Sequence, residues 1–301
     1  MLVNRKYKNL VLCGGGSRCI AFCGAIRFLE EYKVLSKIKR VFGTSAGALI
    51  GLLLSLGYTA KEIEVEVDGL NSEKIFGTSA LFSYSGVPRL VYNLYNNKGI
   101  NTGEHMYEFL KSLFTKKDID PKITLSALYG KSQIKLYMIS TCISTKPSSM
   151  HVFSYRNSPN IPAIDAVQAS MCIPCIFNPK TINNRLYIDG GMKNNFPVAL
   201  VPQSQSTLAL KLVNNHVDKD IDRPHSGELS FLDFINCLLD AMFENTWSDE
   251  KHIDPKYVDV ISIPVPNVSF IDFNLSSEMK TMMHSQGYNK LRRDMCNLDI
   301  L

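Results

Sequence analysis

A serine flanked by glycines, Gly43-Thr44-Ser45-Ala46-Gly47, lies between a short apolar run, Val41-Phe42, and a strongly apolar one, Ala48 to Leu56. This G-x-S-x-G pattern at a strand-to-helix junction predicts a nucleophile elbow. A turn this sharp forces backbone angles that a Cβ would oppose, so Gly43 and Gly47 carry the close approaches. It also sets the Ser45 hydroxyl beside the first amides of the next helix. Those amides are unsatisfied and suit a developing negative charge.

The segments around the elbow alternate between strand and helix. Asn9 to Cys13 reads as an apolar strand ending in Gly14-Gly15-Gly16, and Ile20 to Val34 as an amphipathic helix. Lys39 to Phe42 forms a second strand before the elbow. This order predicts an α/β chain, a three-layer α/β/α sandwich around a central, mostly parallel sheet. Further strands are expected at Gln133 to Ile143, His151 to Tyr155, Leu186 to Ile188, Thr207 to Val213 and Tyr257 to Ile263. Helices are expected from Asn101-Thr102-Gly103-Glu104 through Phe114, and at Ile164 to Met171, Leu229 to Trp247 and Ser276 to Leu298. Asp218 to Gly227 reads as a surface loop. Thr59 to Gly103, rich in Asn, Ser, Gly and Tyr, reads as an irregular insertion, a lid or interface segment presenting Phe76, Phe82, Tyr84, Tyr92, Leu94 and Tyr95. No repeat or Pro/Gly linker divides the chain, so one domain is expected over residues 1–301. Its motif-bearing core is 8–213, and 214–301 completes the sheet and helices.

The chain has 301 residues and a net charge of +5. The basic clusters Arg5-Lys6-Tyr7-Lys8, Lys37 to Arg40 and Lys290 to Arg293 are short and form no aromatic-interleaved stripe. Nucleic-acid binding is therefore not expected. They read as solvated surface, with weak attraction to an anionic lipid surface as the sharper alternative. No signal peptide is visible, and Ala46 to Leu56 falls well short of the ~20 apolar residues that span a bilayer. The eight cysteines are then expected as free thiols, and the location as cytoplasmic with possible peripheral membrane contact.

Ser45 needs a base. His216, His225, His252 and His284 lie where a Ser-Asp-His chain order would place one, but none sits in a distinctive turn. Asp189-Gly190-Gly191, at a strand end, offers a carboxylate instead, although alone it also reads as a simple turn. Gly14-Gly15-Gly16-Ser17-Arg18 can present several N–H groups to one anion. One reading is an oxyanion hole, with Arg18 adding charge or holding the loop. The other is a phosphate loop, but Cys19 stands where a dinucleotide fingerprint needs glycine. Cys172-Ile173-Pro174-Cys175 follows a helix rather than starting one, and no second pair completes a zinc set, so no metal or cofactor is expected.

Taken together, the glycine loop with Arg18, the Ser45 elbow and the Asp189-Gly190-Gly191 turn resemble, in this order, the patatin-like phospholipases. The run Ala169-Ser170-Met171-Cys172-Ile173-Pro174, with Phe177 and Pro179 beyond, is similar to that family's segment before its aspartate. The resemblance covers about residues 8 to 213 and departs from the family at Cys19, where glycine is usual, and at Cys13. It implies a calcium-independent lipid acyl hydrolase of phospholipase A or lysophospholipase type. Ser45 would be the nucleophile, Asp189 the base and later the acid, and the Gly14-Gly15-Gly16 amides the oxyanion hole. The substrate would be a phospholipid or another acyl lipid. A soluble esterase, thioesterase or acyltransferase with the same dyad, and a non-catalytic lipid-binding relative, remain the alternatives.

Overall fold

The computed structural model describes residues 5–77, 87–202, 204–214, 237–238, 241 and 253–296. Strand β1 (Asn9–Leu12) runs into the glycine loop and a 3₁₀ turn over Gly16–Cys19, then α1 (Ile20–Glu31). Strand β2 (Arg40–Thr44) ends at Ser45, and α2 (Ala46–Ser55) follows at once. Every residue of β1 is buried, as expected of a parallel strand covered on both faces. Helix α2 is apolar on all sides and buries all but one of its residues, which marks it as a core helix.

After α2 come α3 (Ala60–Asp68), α4 (Ser72–Phe76) and α5 (Val87–Asn97). The expectation of an irregular stretch over Thr59 to Gly103 is therefore wrong. Its polar residues are helix caps rather than loop filler. The Thr59 Oγ1 accepts the Glu62 N–H while Glu62 accepts the Thr59 N–H, a capping box. Asn71 Oδ1 accepts the Lys74 N–H at 2.8 Å, and Gly77 closes α4 in the left-handed conformation. Phe76 is buried, whereas Tyr92 and Tyr95 are 65% and 84% exposed. Phe82 and Tyr84 lie outside the described residues.

The chain continues through β3 (Gly99–Asn101), α6 (Glu104–Thr115), α7 (Leu125–Ser132), β4 (Lys135–Cys142), β5 (Ser149–Ser154) and α8 (Ala163–Met171). Then come β6 (Cys175–Phe177), β7 (Lys180–Ile182), β8 (Arg185–Asp189), β9 (Thr207–Asn214), β10 (Val258–Val265) and α9 (Ser277–Cys296). The expected helix at Leu229 to Trp247 and loop at Asp218 to Gly227 fall almost wholly outside the described residues.

The parallel strands are ordered β10-β9-β1-β2-β4, and β5, β8 and β7 add antiparallel pairings beyond β4. Helices α2 and α8 pack together against β1, β2, β4 and β8. Helices α1 and α9 form a second pair, with α9 lying on β10. This is the expected α/β fold with a central, mostly parallel sheet.

One detail of register decides where the chemistry sits. β2 pairs with β4 up to Thr44↔Ile139, and β8 pairs with β4 from Ser140↔Asp189 onward. β5 occupies β4 along Tyr137 to Cys142, overlapping both. A strand has two edges, so β2 and β8 must share one of them, end to end. Adjacent residues of β4 thus face Thr44 and Asp189, and the two strand ends meet.

Candidate active site

Ser45 adopts φ 52°, ψ −120°, a region that non-glycine residues occupy only when the surroundings impose it. Two features impose it. The Ser45 N–H donates to Ser170 Oγ at 2.9 Å, and Ser170 Oγ in turn donates to the Ile139 carbonyl. Below the turn, a Cβ on Gly47 would lie 2.4 Å from the Leu12 carbonyl oxygen, and one on Gly43 would lie 2.4 Å from that of Gly47. The elbow therefore closes because β2, the start of α2 and the end of β1 are in near-contact.

Asp189 is fully buried. Its N–H donates to the Cys172 carbonyl, and its Oδ1 accepts the Gly191 N–H at 2.7 Å. Gly190 packs against the Ile139 carbonyl. The second carboxyl oxygen, Oδ2, has no hydrogen-bond partner. Burial raises the Asp189 pKa to about 7, against the pull of the Ser45 hydroxyl and the Gly191 N–H, which lower it. The hydroxyl thus acts on the carboxyl without completing a bond of normal geometry, a spacing common before substrate binds.

The glycine loop lies beside the serine. A Cβ on Gly14 would be 3.2 Å from Ser45 Cβ. Gly16 has φ +53°, and a Cβ there would collide with the Phe270 carbonyl. The Gly14 N–H donates to the Asn195 carbonyl at 3.0 Å, so the loop's first amide is engaged. Among the described residues, the Gly15 and Gly16 N–H groups have no acceptor. Arg18 braces the loop: its Nε donates to the Val268 carbonyl at 2.8 Å, and its guanidinium stacks on Phe270 at 3.8 Å.

Asn194, Asn195 and Ser170 were not singled out as site residues from the sequence. The Asn194 carbonyl accepts the Thr44 hydroxyl at 2.9 Å and the Asn195 carbonyl accepts Gly14, so the turn after Asp189 ties the elbow to the glycine loop. Ser170 lay within the run that resembled the family, which was a usable signal. The asparagines carried none, because they act through main-chain carbonyls.

A narrow apolar cavity of about 30 Å³ runs from Ser45 between Leu49, Leu70, Ile75, Phe76 and Met106. Phe177 and Phe273 flank Phe76 at ring distances of 5.5 and 5.9 Å. Cys19 also lines this cavity, where its burial pushes the thiol up to about 12, so it serves as a small apolar wall. All eight cysteines are free thiols. Among the described histidines, His105 lies beside Gly77, His151 bonds Ser158 and His284 bonds Asp68, and none lines the Ser45 cavity. No described helix is long and apolar enough to cross a membrane.

The chain is 32% identical over 192 residues to a probable lipid hydrolase, 463L, of Invertebrate iridescent virus 6, covering 64% of this chain and 62% of that protein. It thus spans less than two thirds of that relative's length. An uncharacterized Bacillus subtilis protein, YqhO, is 26% identical over 292 residues, 93% of this chain and 95% of its own. Among solved structures, VipD from Legionella pneumophila superposes with a TM-score of 0.63 at 18% identity, covering 97% of this chain and 67% of VipD, a likeness of fold. Residues 10–201, which hold the glycine loop, the elbow and the aspartate turn, match the family described as patatin-like phospholipase. The chain therefore belongs to the patatin-like phospholipase family.

Proposed function

We propose that the chain is a serine lipid acyl hydrolase working through a Ser45–Asp189 dyad, without calcium. The observation that carries this reading is that Ser45 lines an apolar cavity while also acting on a buried carboxyl whose pKa is near neutral. A base poised near the working pH holds its proton-accepting form in quantity and still returns the proton readily.

In the proposed cycle, Ser45 Oγ attacks an ester carbonyl carbon and Asp189 takes the hydroxyl proton. The carbonyl oxygen, now an oxyanion, accepts from the Gly15 and Gly16 amides and from the first amide of α2 at Ala46. The C–O bond then breaks, Asp189 protonates the leaving lysolipid or alcohol, and an acyl-Ser45 ester remains. Water attacks that ester and gives its proton to Asp189; the acyl C–Oγ bond then breaks, Asp189 returns the proton to Ser45 Oγ, and the fatty acid leaves. The apolar cavity would hold the acyl chain, a length of hydrocarbon that gains about 0.8 kcal/mol for each CH₂ removed from water.

A fluorophosphonate probe tests the nucleophile directly. The wild type is expected to take one label at Ser45, and Ser45→Ala none. Equal labelling of the two, or none of either, removes the reading.

Membrane contact is proposed at α5. Its range contains no acidic residue, Lys98 follows it, and Tyr92 and Tyr95 face outward. Tyrosine and basic side chains together suit a lipid headgroup region. The helix leads into β3, which pairs with β6, and β6 supplies Phe177 to the cavity. Replacing both tyrosines by serine is expected to weaken sedimentation with phospholipid vesicles several-fold and to leave turnover of a monomeric short-chain ester unchanged. Unaltered vesicle binding removes α5 as the contact.

A further inference from the structure

Four cations around one recess play no part in the proposed hydrolysis. Lys8, Lys39, Arg40 and Lys135 line a solvent-open recess of about 880 Å³ together with Ser204, Gln205 and Ser206. In the sequence they belong to separate segments. Strand register unites them: Asn9 pairs with both Thr207 and Arg40, and Arg40 with Lys135. The recess therefore runs along the starting ends of four adjacent parallel strands. Main-chain bonds hold this edge, with Lys39 and Arg40 N–H both donating to the Lys8 carbonyl and Lys135 N–H to that of Lys39.

Several cations elsewhere are held against acids. Arg5, Lys61, Lys116, Lys117, Lys180 and Lys290 each lie 2.6–2.9 Å from a carboxylate. Among the described residues, no carboxylate pairs with Lys8, Lys39, Arg40 or Lys135. Arg40 is held by neutral acceptors instead, Gln205 Oε1 at 2.5 Å and Asn9 Oδ1 at 3.5 Å. These orient the guanidinium without cancelling its charge. Lys135 Nζ likewise rests near the neutral rings of Tyr129 and Tyr155, at 5.8 and 5.9 Å. Like charges gathered around one recess repel one another, and the strand pairing holds their backbones side by side.

We propose that this recess binds a ligand carrying two or more clustered phosphates, at a site separate from the Ser45 cavity. One arginine and three lysines offer directed and point-charge donors to phosphate oxygens, the combination such anions require. A free oligophosphate and a phospholipid headgroup share this chemistry. Position favours the free ligand. Ser45 lies five residues along β2 from Arg40, about 16 Å at the rise of a strand, at the other end of the sheet. A bilayer seated on the recess would not be the surface that feeds the serine.

The test is a calorimetric titration of the whole chain with inorganic tripolyphosphate at fixed salt, beside sedimentation with phosphatidylcholine vesicles with and without phosphatidate. Saturable one-site binding of tripolyphosphate is expected, at least tenfold weaker in Lys39→Gln/Lys135→Gln. Lys61→Gln/Lys111→Gln, which removes the same net charge elsewhere, should leave it unchanged. Failure of the wild type to saturate, or equal weakening in both double variants, overturns the site as a general charge effect. Phosphatidate-dependent sedimentation lost in Lys39→Gln/Lys135→Gln, with no tripolyphosphate binding, overturns the free-ligand assignment. None of these readouts involves hydrolysis, so their failure leaves the Ser45–Asp189 proposal standing.

Discussion

Asp189→Asn is expected to lose roughly 10²–10⁴-fold in turnover, the range for a missing general base, and to become more resistant to heat than the wild type at pH 8. The two effects share one cause. Asp189 is fully buried, and burial raises its pKa from 3.8 to about 7. In the unfolded chain the group ionises near 3.8, while in the folded chain it keeps its proton until about 7. Between those values the native state binds more protons, so this residue's contribution to stability falls as pH rises. Above 7 the loss is complete: three pK units at about 1.4 kcal/mol each give roughly 4 kcal/mol. Asparagine has the same shape, still accepts the Gly191 N–H through its amide oxygen, and carries no charge to desolvate. Thermal melts of both proteins at pH 5 and pH 8 check the sign: the variant's advantage should be larger at pH 8. In the wild type, kcat/KM should rise with pH through about 7 as the carboxylate forms, with no such limb in the residual activity of the variant. A variant less stable than the wild type at both pH values would show that Asp189 is not held against its own ionisation.

Gly47→Ala is expected to cost at least about 3 kcal/mol of stability, enough to unfold a marginal protein, and to abolish labelling of Ser45 with it. The added Cβ would sit 2.4 Å from the Leu12 carbonyl oxygen and 2.6 Å from that of Cys13, main-chain atoms at the end of the buried strand β1 and just beyond it. Main chain in a paired strand cannot swing aside as a side-chain tip can. Relief requires β1 and α2 to separate, which opens the sheet at its centre and moves the elbow. Gly130→Ala is the control. Gly130 lies in α7 with nothing within 4 Å of its built Cβ, so alanine there should be neutral or stabilising by about 0.5–1 kcal/mol. Urea midpoints of the two variants make the comparison. Equal midpoints would mean that the near-contact between β1 and α2 is not what constrains this glycine.

The contrast between these residues shows what local sequence carries. Gly47 was legible because a G-x-S-x-G between an apolar strand and an apolar helix has few other uses. Ser170 was visible only as part of a resembling run, since its task is to accept one N–H from a residue 125 positions away. Asn194 and Asn195 were invisible, because a carbonyl that accepts a bond looks the same in every residue type. The stretch after Thr59 was misjudged for a related reason. Thr59, Asn71 and Gly77 are residues that loops and helix caps both favour, and only the presence of Glu62 three positions after Thr59 marked a boundary.

By itself the sequence determined the fold class, the elbow and the glycine loop, each set by neighbours within a few positions. The apolar runs set the strands, the Gly-rich turns the sharp reversals, and the elbow pattern the place of Ser45 at a strand end. The tertiary structure alone decided that the strand ends carrying Thr44 and Asp189 meet, and that the Asp189 carboxyl is held above its usual pKa. The first follows from β2 and β8 sharing one edge of β4, so that Thr44 and Asp189, 145 positions apart, end on adjacent rungs. The second follows from burial, since desolvation depends on what the whole chain packs around a carboxyl and not on the residues beside it in sequence.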